Sequence, residues 1–340
     1  MEPSELPDGG PTLIQPSELV EEFLVIERKF SEFDHFLSIG LANIAAVVPG
    51  IETNKDKIAR ACAIFKERGV NVAIFPEFSL SGYVWDDEQT CRPYIEQSCM
   101  ENHVDWVEQV IRPLFDETFM AVVLNGFRHG SKGGLLNSTF VIDRASDWFG
   151  GSNRYDKVFL PPIERRYTRT GEQDRLDLQT PWGLFGFTTC YDIMFSQLTQ
   201  EYAVLDQVDA IIEVASWRSY ARRDYPLMNV GTDTYYGDLW DMVLAAKAGI
   251  HQVWMIACNA VGVHGISKAK FWGGSGLWAP SGLRLIQSSR FNEELLIVHN
   301  IDIKGQRQLE IDDFNYAMDF NAIYQPIHGK RAFTRIRTGE

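Results

Sequence analysis

The chain has 340 residues, 45% of them hydrophobic, and its 32 Lys+Arg stand against 46 Asp+Glu for a net charge of −14. That composition fills a packed core and excludes a disordered chain, a collagen-like repeat and a disulfide scaffold. The acidic balance also speaks against nucleic-acid binding, which needs a basic footprint.

In chain order, residues 1–35 come first, with nine carboxylates against Arg28 and Lys29 and with Pro3, Pro7, Pro11 and Pro16. They read as an acidic arm or an edge extension. No basic residue precedes Arg28 and no apolar leader is present, so the expected compartment is the cytoplasm. The longest apolar stretch, Phe36 to Ile51, is broken by Ser38, Asn43 and Pro49 and is too short to span a bilayer.

Strand-like runs follow at 36–48, 70–75, 120–127, 135–142, 183–189, 208–214, 252–258, 283–287 and 295–303. Several are continuously apolar, as in strands buried on both faces. Helical patterns lie at 54–68, at 102–118 with Pro113 as a kink, at 192–206 and at 235–249. In the last, Leu239, Val243, Ala246 and Ile250 fall at helical spacing. The alternation, without repeats or linkers, predicts one α/β domain over 36–303, and residues 304–340 read as a second arm.

Five cysteines, Cys62, Cys91, Cys99, Cys190 and Cys258, form no CxxC pair, which argues against both a disulfide framework and a thiolate zinc site. The scattered histidines lack metal-ligand spacing, His251 and His264 included. GGSG at 273–276 lacks the Lys and Ser/Thr of a P-loop, and neither a GxGxxG turn nor a GxSxG elbow is present. The expectation is therefore no metal and no organic cofactor. Asn137-Ser138-Thr139 matches a glycosylation acceptor and reads as a chance match.

Three residues stand at strand ends, where ligand sites of α/β sheets gather. Glu77 follows VAIFPEF, Lys157 sits in YDKVFLP, and Cys190 sits in GFTTCYDIMF at a strand-to-helix junction. A helix N-terminus there would favour the thiolate. A carboxylate, an ammonium and a thiol brought together would supply a base, an oxyanion partner and a nucleophile. Taken singly, each has a plainer reading: a loop carboxylate, a surface charge and a small buried hydrophobe.

FPEFSLSGY, YDKVFLP and GFTTCYDIMF, in that order, resemble the three signature segments of the nitrilase superfamily of carbon–nitrogen hydrolases. The resemblance runs over about 36–303 and includes 241–262 and GSGLWAP at 274–280. It implies an α-β-β-α sandwich, four-layered on dimerisation, and a cofactor-independent amidase. Cys190 would attack the carbonyl, Glu77 would move its proton, and Lys157 would hold the oxyanion. A second glutamate is implied, with Glu164 in LPPIERRY the candidate and Glu172 its rival. Tyr83, Trp85, Tyr191 and Trp217 would line the pocket, although core aromatics are the plainer reading. Arg165, Arg166 and Arg169, with Arg218, Arg222 and Arg223, would favour an anionic substrate if they faced the site. Pairing with the chain's own carboxylates is the expected role.

Lys247-Ala248-Gly249-Ile250-His251 replaces the Arg-Ala-x-Glu-Asn stretch of many members. With Thr189-Cys190-Tyr191-Asp192, it looks closer to the biotinidase and vanin branch, whose Cys-rich C-terminal extension is missing here. A small-molecule amide is the implied substrate and a homodimer the implied assembly. Nitriles and N-carbamoyl amino acids are the alternatives within the class. An amide-transfer enzyme and a non-catalytic binding or assembly protein are the alternatives outside it.

Overall fold

A computed structural model describes residues 17–83, 88–151, 153–172 and 175–324. Two sheets carry the fold. The eight-stranded sheet runs in the order Glu18–Val20, Phe23–Lys29, Glu294–Ile301, Leu37–Asn43, Val72–Ile74, Ala121–His129, Leu135–Asp143, Arg154–Asp156. The six-stranded sheet runs Arg284–Gln287, Gly276–Trp278, Trp254–Asn259, Ala210–Ala215, Gly183–Thr189, Leu178–Thr180.

The central strands are apolar on both faces because both faces are covered. Ile39, Leu41, Ile74 and Val123 of the first sheet meet Phe187, Ile212, Val214 and Ile256 of the second in a core between the sheets. On the outer face of the first sheet, Ala42, Ala73, Val122 and Phe140 pack with Ile58, Cys62 and Phe65 of helix Ile51–Glu67. On the outer face of the second, Ile211, Met255 and Ala257 pack with Tyr202 of helix Ser196–Val204 and with Trp240, Leu244 and Ala248 of helix Tyr235–His251. The layers are helix, sheet, sheet, helix, the sandwich expected from the sequence.

Three local differences have physical causes. The pattern at 102–118 is not one helix: a 3-10 turn, a short α-turn and a π-turn lead to a 3-10 turn holding Pro113, whose ring denies the helix a donor. In helix Tyr235–His251 the buried stripe is Gly237, Trp240, Leu244, Lys247 and Ala248. Of the apolar residues singled out by spacing, Leu239 and Val243 pack half-buried against the same core, while Ala246 and Ile250 face outward, Ile250 being 63% exposed. Residues 18–29, read as part of an arm or an edge extension, extend the first sheet at its edge, Phe23–Lys29 lying between Glu18–Val20 and, in parallel, Glu294–Ile301. The second arm begins as helix Ile303–Asp313, capped by the Asp302 side chain. Among the described residues, no helix is long and apolar enough to cross a membrane.

Gly40 lies where the helix Ile51–Glu67 crosses its sheet, and a Cβ there would sit 2.4 Å from the Phe65 ring. Gly40→Ala should therefore lower stability by about 1–3 kcal/mol through overpacking. The midpoint of urea unfolding should fall with its slope unchanged.

Candidate active site

Strand Val72–Ile74 leads into Glu77, Arg154–Asp156 into Lys157 and Gly183–Thr189 into Cys190. The first two belong to one sheet and the third to the other. The Thr139 and Thr189 hydroxyls join the sheets at this end, 3.1 Å apart.

Lys157 Nζ donates to Glu77 Oε1 at 2.8 Å and to Glu164 Oε2 at 2.7 Å. All three side chains are sealed from solvent. Burial works against the ammonium, yet Glu164 and Glu77 more than offset it, and the Lys157 pKa stands well above the usual lysine value. For Glu77 the largest influence is burial, which favours the neutral acid. Lys157 pulls the other way and the Glu164 charge adds to burial, so its pKa is raised.

Asn137 completes this cluster, and the sequence reading missed it. Its Nδ2 donates to Glu77 Oε1 and to Glu164 Oε1, both at 2.8 Å, while its Oδ1 accepts from Asn125 at 2.7 Å. Asn125 in turn accepts from the Phe78 backbone N–H at 2.9 Å, which fixes the loop carrying Glu77. Ser216 adds two bonds, its N–H to Glu77 Oε2 at 2.9 Å and its hydroxyl to the Glu77 carbonyl at 2.7 Å. The sequence around it offered only the Asn-Ser-Thr run, which points to glycosylation and not to this cluster. Asn137, Ser138 and Thr139 are all buried, so in the folded chain they serve the site and no glycosyl acceptor is exposed.

Cys190 opens a five-residue 3-10 turn and holds φ at +53°, a left-handed conformation that costs a non-glycine residue energy. Thr189 and Asp192 form a capping box around it. Asp192 also accepts from the Tyr155 hydroxyl and the Phe159 N–H, both at 2.7 Å. One carboxyl thus ties both flanks of Lys157 to the cysteine turn, and burial pushes it up to about 7. Burial, followed by the Glu77 charge, raises the Cys190 thiol well above its ordinary value. Burial thus works against the thiolate that a helix dipole would favour, and the neighbouring carboxyls add to it while Lys157 opposes them. Glu213, fully buried and bonded by Thr188 at 2.5 Å, adds a further carboxyl whose pKa burial raises well above the usual.

The remaining residues fall as follows. Tyr83 is buried and donates to Glu164 Oε2 at 2.9 Å. Trp85 lies outside the described residues. Tyr191 packs edge-on to Phe195, and Trp217 donates its indole N–H to the Tyr236 carbonyl at 2.7 Å. Glu172 is not part of the cluster: it accepts from Ser131 and Lys132 and pairs with Arg169. Five of the six arginines engage their own chain: Arg169 as above, Arg165 with the Leu160 carbonyl, Arg222 with Asp224, and Arg218 and Arg223 with Tyr236. The space beside Glu77, lined by Tyr83, Ser216, His264 and Phe271, is a cavity of about 10 Å³, room for roughly one water.

A buried ion pair supports the lysine from behind. Arg128 donates to Asp156 at 2.6 Å and 3.1 Å, and Ser138 bridges the two. Arg128→Met should cost about 3–5 kcal/mol, because it strands the Asp156 charge in the core. Adding Asp156→Leu should restore most of that loss, as read by urea unfolding of both variants.

The family model for carbon-nitrogen hydrolases matches residues 38–309. A probable nitrilase of Schizosaccharomyces pombe is 24% identical over 165 residues, which are 48% of this chain and 53% of the yeast protein. The chain thus spans about half the length of that relative. A hydrolase encoded in the agr operon of Staphylococcus lugdunensis is 23% identical over 255 residues, covering 74% of this chain and 97% of the relative. Among solved structures, an amidase of the nitrilase superfamily from Nesterenkonia superposes with a TM-score of 0.65 at 20% identity, covering 86% of this chain and 97% of the other. A glutamine-dependent NAD+ synthetase from Acinetobacter baumannii gives 0.61 at 20% identity, with 77% of this chain matched to 45% of the synthetase. At these identities the structural likeness speaks to the fold.

Proposed function

The chain belongs to the carbon–nitrogen hydrolase family, and from that premise we propose that it hydrolyses the C–N bond of a small non-peptide amide through a thioester on Cys190. The observation that carries this reading is a buried lysine held between two carboxylates, with the Cys190 turn tied to the lysine segment through Asp192.

Glu77 in its ionised form takes the proton of Cys190 as sulfur bonds to the carbonyl carbon. Two of the three Lys157 N–H donors are spent on glutamates, and the third meets the oxyanion. The neutral Glu77 then gives its proton to the leaving nitrogen, and the C–N bond breaks to leave an acyl-thioester and ammonia or an amine. Water, losing a proton to the same carboxylate, releases the acid and the thiol. Glu164 accepts from Lys157, Asn137 and Tyr83, a set of donors that fixes it where it holds Lys157 in place. Glu77 is left as the group that changes charge.

The yeast relative's name favours a second reading, nitrile hydrolysis, in which the same sulfur adds to a nitrile carbon. Mass-spectrometric screening of primary and secondary amides, N-carbamoyl amino acids and nitriles separates the two. The expected result is turnover of one amide class, reduced at least about a thousandfold in Cys190→Ala. Turnover retained by that variant would refute the mechanism.

The pH dependence follows from Glu77. It must be ionised to accept the proton, so kcat/KM should fall as pH drops through a value above the ordinary carboxylate range. Asn137→Asp exchanges a shared donor for a third negative charge. It should move that acid limb to higher pH and lower kcat/KM at neutral pH at least about tenfold, whereas a purely structural Asn137 would leave the limb in place.

We also read the chain as a homodimer of a reducing compartment. Its five cysteines are buried and form no disulfide with one another. Met242 and Ile250 expose apolar surface beside Val243 and Ala246 on the outer side of helix Tyr235–His251. Light scattering should find a dimer that Ile250→Glu dissociates, with the monomeric fold unchanged by circular dichroism.

A further inference from the structure

We propose that Glu96, Cys99 and His129 form a binding site for a zinc-type divalent cation, oriented by Glu101 and separate from the candidate active site. One ligand atom from each of the three lies within 4.8 Å of the others. Glu96 stands in the last turn of helix Glu88–Gln97, Cys99 follows that helix, and His129 ends strand Ala121–His129. The i, i+3 spacing puts the carboxylate and the thiol on one side of the chain, and the strand end brings the imidazole to meet them.

The two ring nitrogens of His129 face different groups. Nε2 lies 3.0 Å from Glu96 Oε2, and Nδ1 lies 3.5 Å from Glu101 Oε1. Glu101 Oε1 also accepts the His129 backbone N–H at 2.7 Å, which fixes that carboxylate beside the ring. A histidine whose far nitrogen faces a carboxylate is the usual support for a metal-ligating imidazole. Glu101 Oε2 is buried and has no hydrogen-bond partner, so the carboxyl has acceptor capacity to spare.

Zinc bonds of about 2.0–2.3 Å put tetrahedral ligand atoms roughly 3.3–3.8 Å apart. Glu96 Oε2 and His129 Nε2 already lie near that separation, and from a spread of 4.8 Å the cluster needs to close by about 1.5 Å at most. The Cys99 thiol, now donating to the Ile95 carbonyl at 3.4 Å, would lose its proton to solvent on binding. Thiolate, imidazole and carboxylate together suit zinc rather than magnesium or calcium. His129 is half-exposed, which leaves the fourth position to water. The sequence carried the Glu-x-x-Cys spacing but gave no hint that His129 would join it.

Such an ion would pin the helix Glu88–Gln97 to the strand end. Cys99 packs in one cluster with Phe78, Tyr83 and Tyr167, so the pinned wall is the one that carries the Tyr83 hydroxyl to Glu164.

The test is calorimetric titration of zinc chloride into chelator-stripped full-length protein, with cobalt substitution read by absorption. Wild type and Cys190→Ala should each bind one ion and show a thiolate-to-cobalt charge-transfer band. Cys99→Ser should lose the band, and Glu101→Gln should weaken zinc binding by about 10–100-fold. The rim variants Glu96→Gln and His129→Ala, which disturb little packing, should each remove tight binding and serve if Cys99→Ser fails to fold. Absence of stoichiometric binding would overturn the proposal, as would binding that Cys190→Ala abolishes or that His129→Ala leaves intact.

Discussion

An ammonium with no access to water has to be neutralised where it stands, and the arrangement around Lys157 follows from that requirement. Two carboxylates share it, which leaves the trio with an excess negative charge in a medium that solvates charge poorly. The excess is carried by donors: the Asn137 amide, the Ser216 N–H and the Tyr83 hydroxyl. Asn137 is itself held by Asn125, and Ser216 bonds Glu77 a second time through its hydroxyl, so a polar network runs through a core that is otherwise apolar. The cluster is rigid because none of its members can be withdrawn without leaving a charge unpaired.

Two sheets are needed to build it. Glu77 and Lys157 leave the ends of strands in one sheet, and Cys190 leaves a strand of the other. Asp192 bonds to Tyr155 and Phe159 on one side and to Thr189 on the other, which sets the cysteine turn against the lysine segment. Burial, helped by the carboxyls that crowd the lysine, works against a thiolate at Cys190. In the proposed reaction, proton transfer from sulfur to Glu77 is therefore coupled to attack on the substrate, in place of a thiolate waiting in advance.

The fold was legible because the central strands are continuously apolar, and only a sheet covered on both sides asks for that. The three strand-end residues were legible because each interrupts such a run with a chemically distinct side chain. Asn137 was not: a neutral amide inside a strand looks like a surface residue until its neighbours are known, and its Asn-Ser-Thr context pointed elsewhere. In helix Tyr235–His251, Trp240 and Leu244 are buried while Ala246 and Ile250 on the same helix are exposed. Spacing alone cannot say which apolar stripe faces the sheet. Choosing between Glu164 and Glu172 likewise needed the turn that folds Glu164 back onto Lys157.

The central claim is that acyl transfer passes through sulfur at Cys190, and its most direct measurement is the mass of that residue during turnover. A reaction with any amide the protein hydrolyses would be quenched in acid within one turnover and digested for peptide mass spectrometry. The account predicts that the Cys190 peptide gains the mass of the acyl group, that the adduct is released by hydroxylamine, and that no other cysteine carries it. Sustained hydrolysis with the Cys190 peptide unmodified at every quench time, or an adduct on another residue, would contradict it.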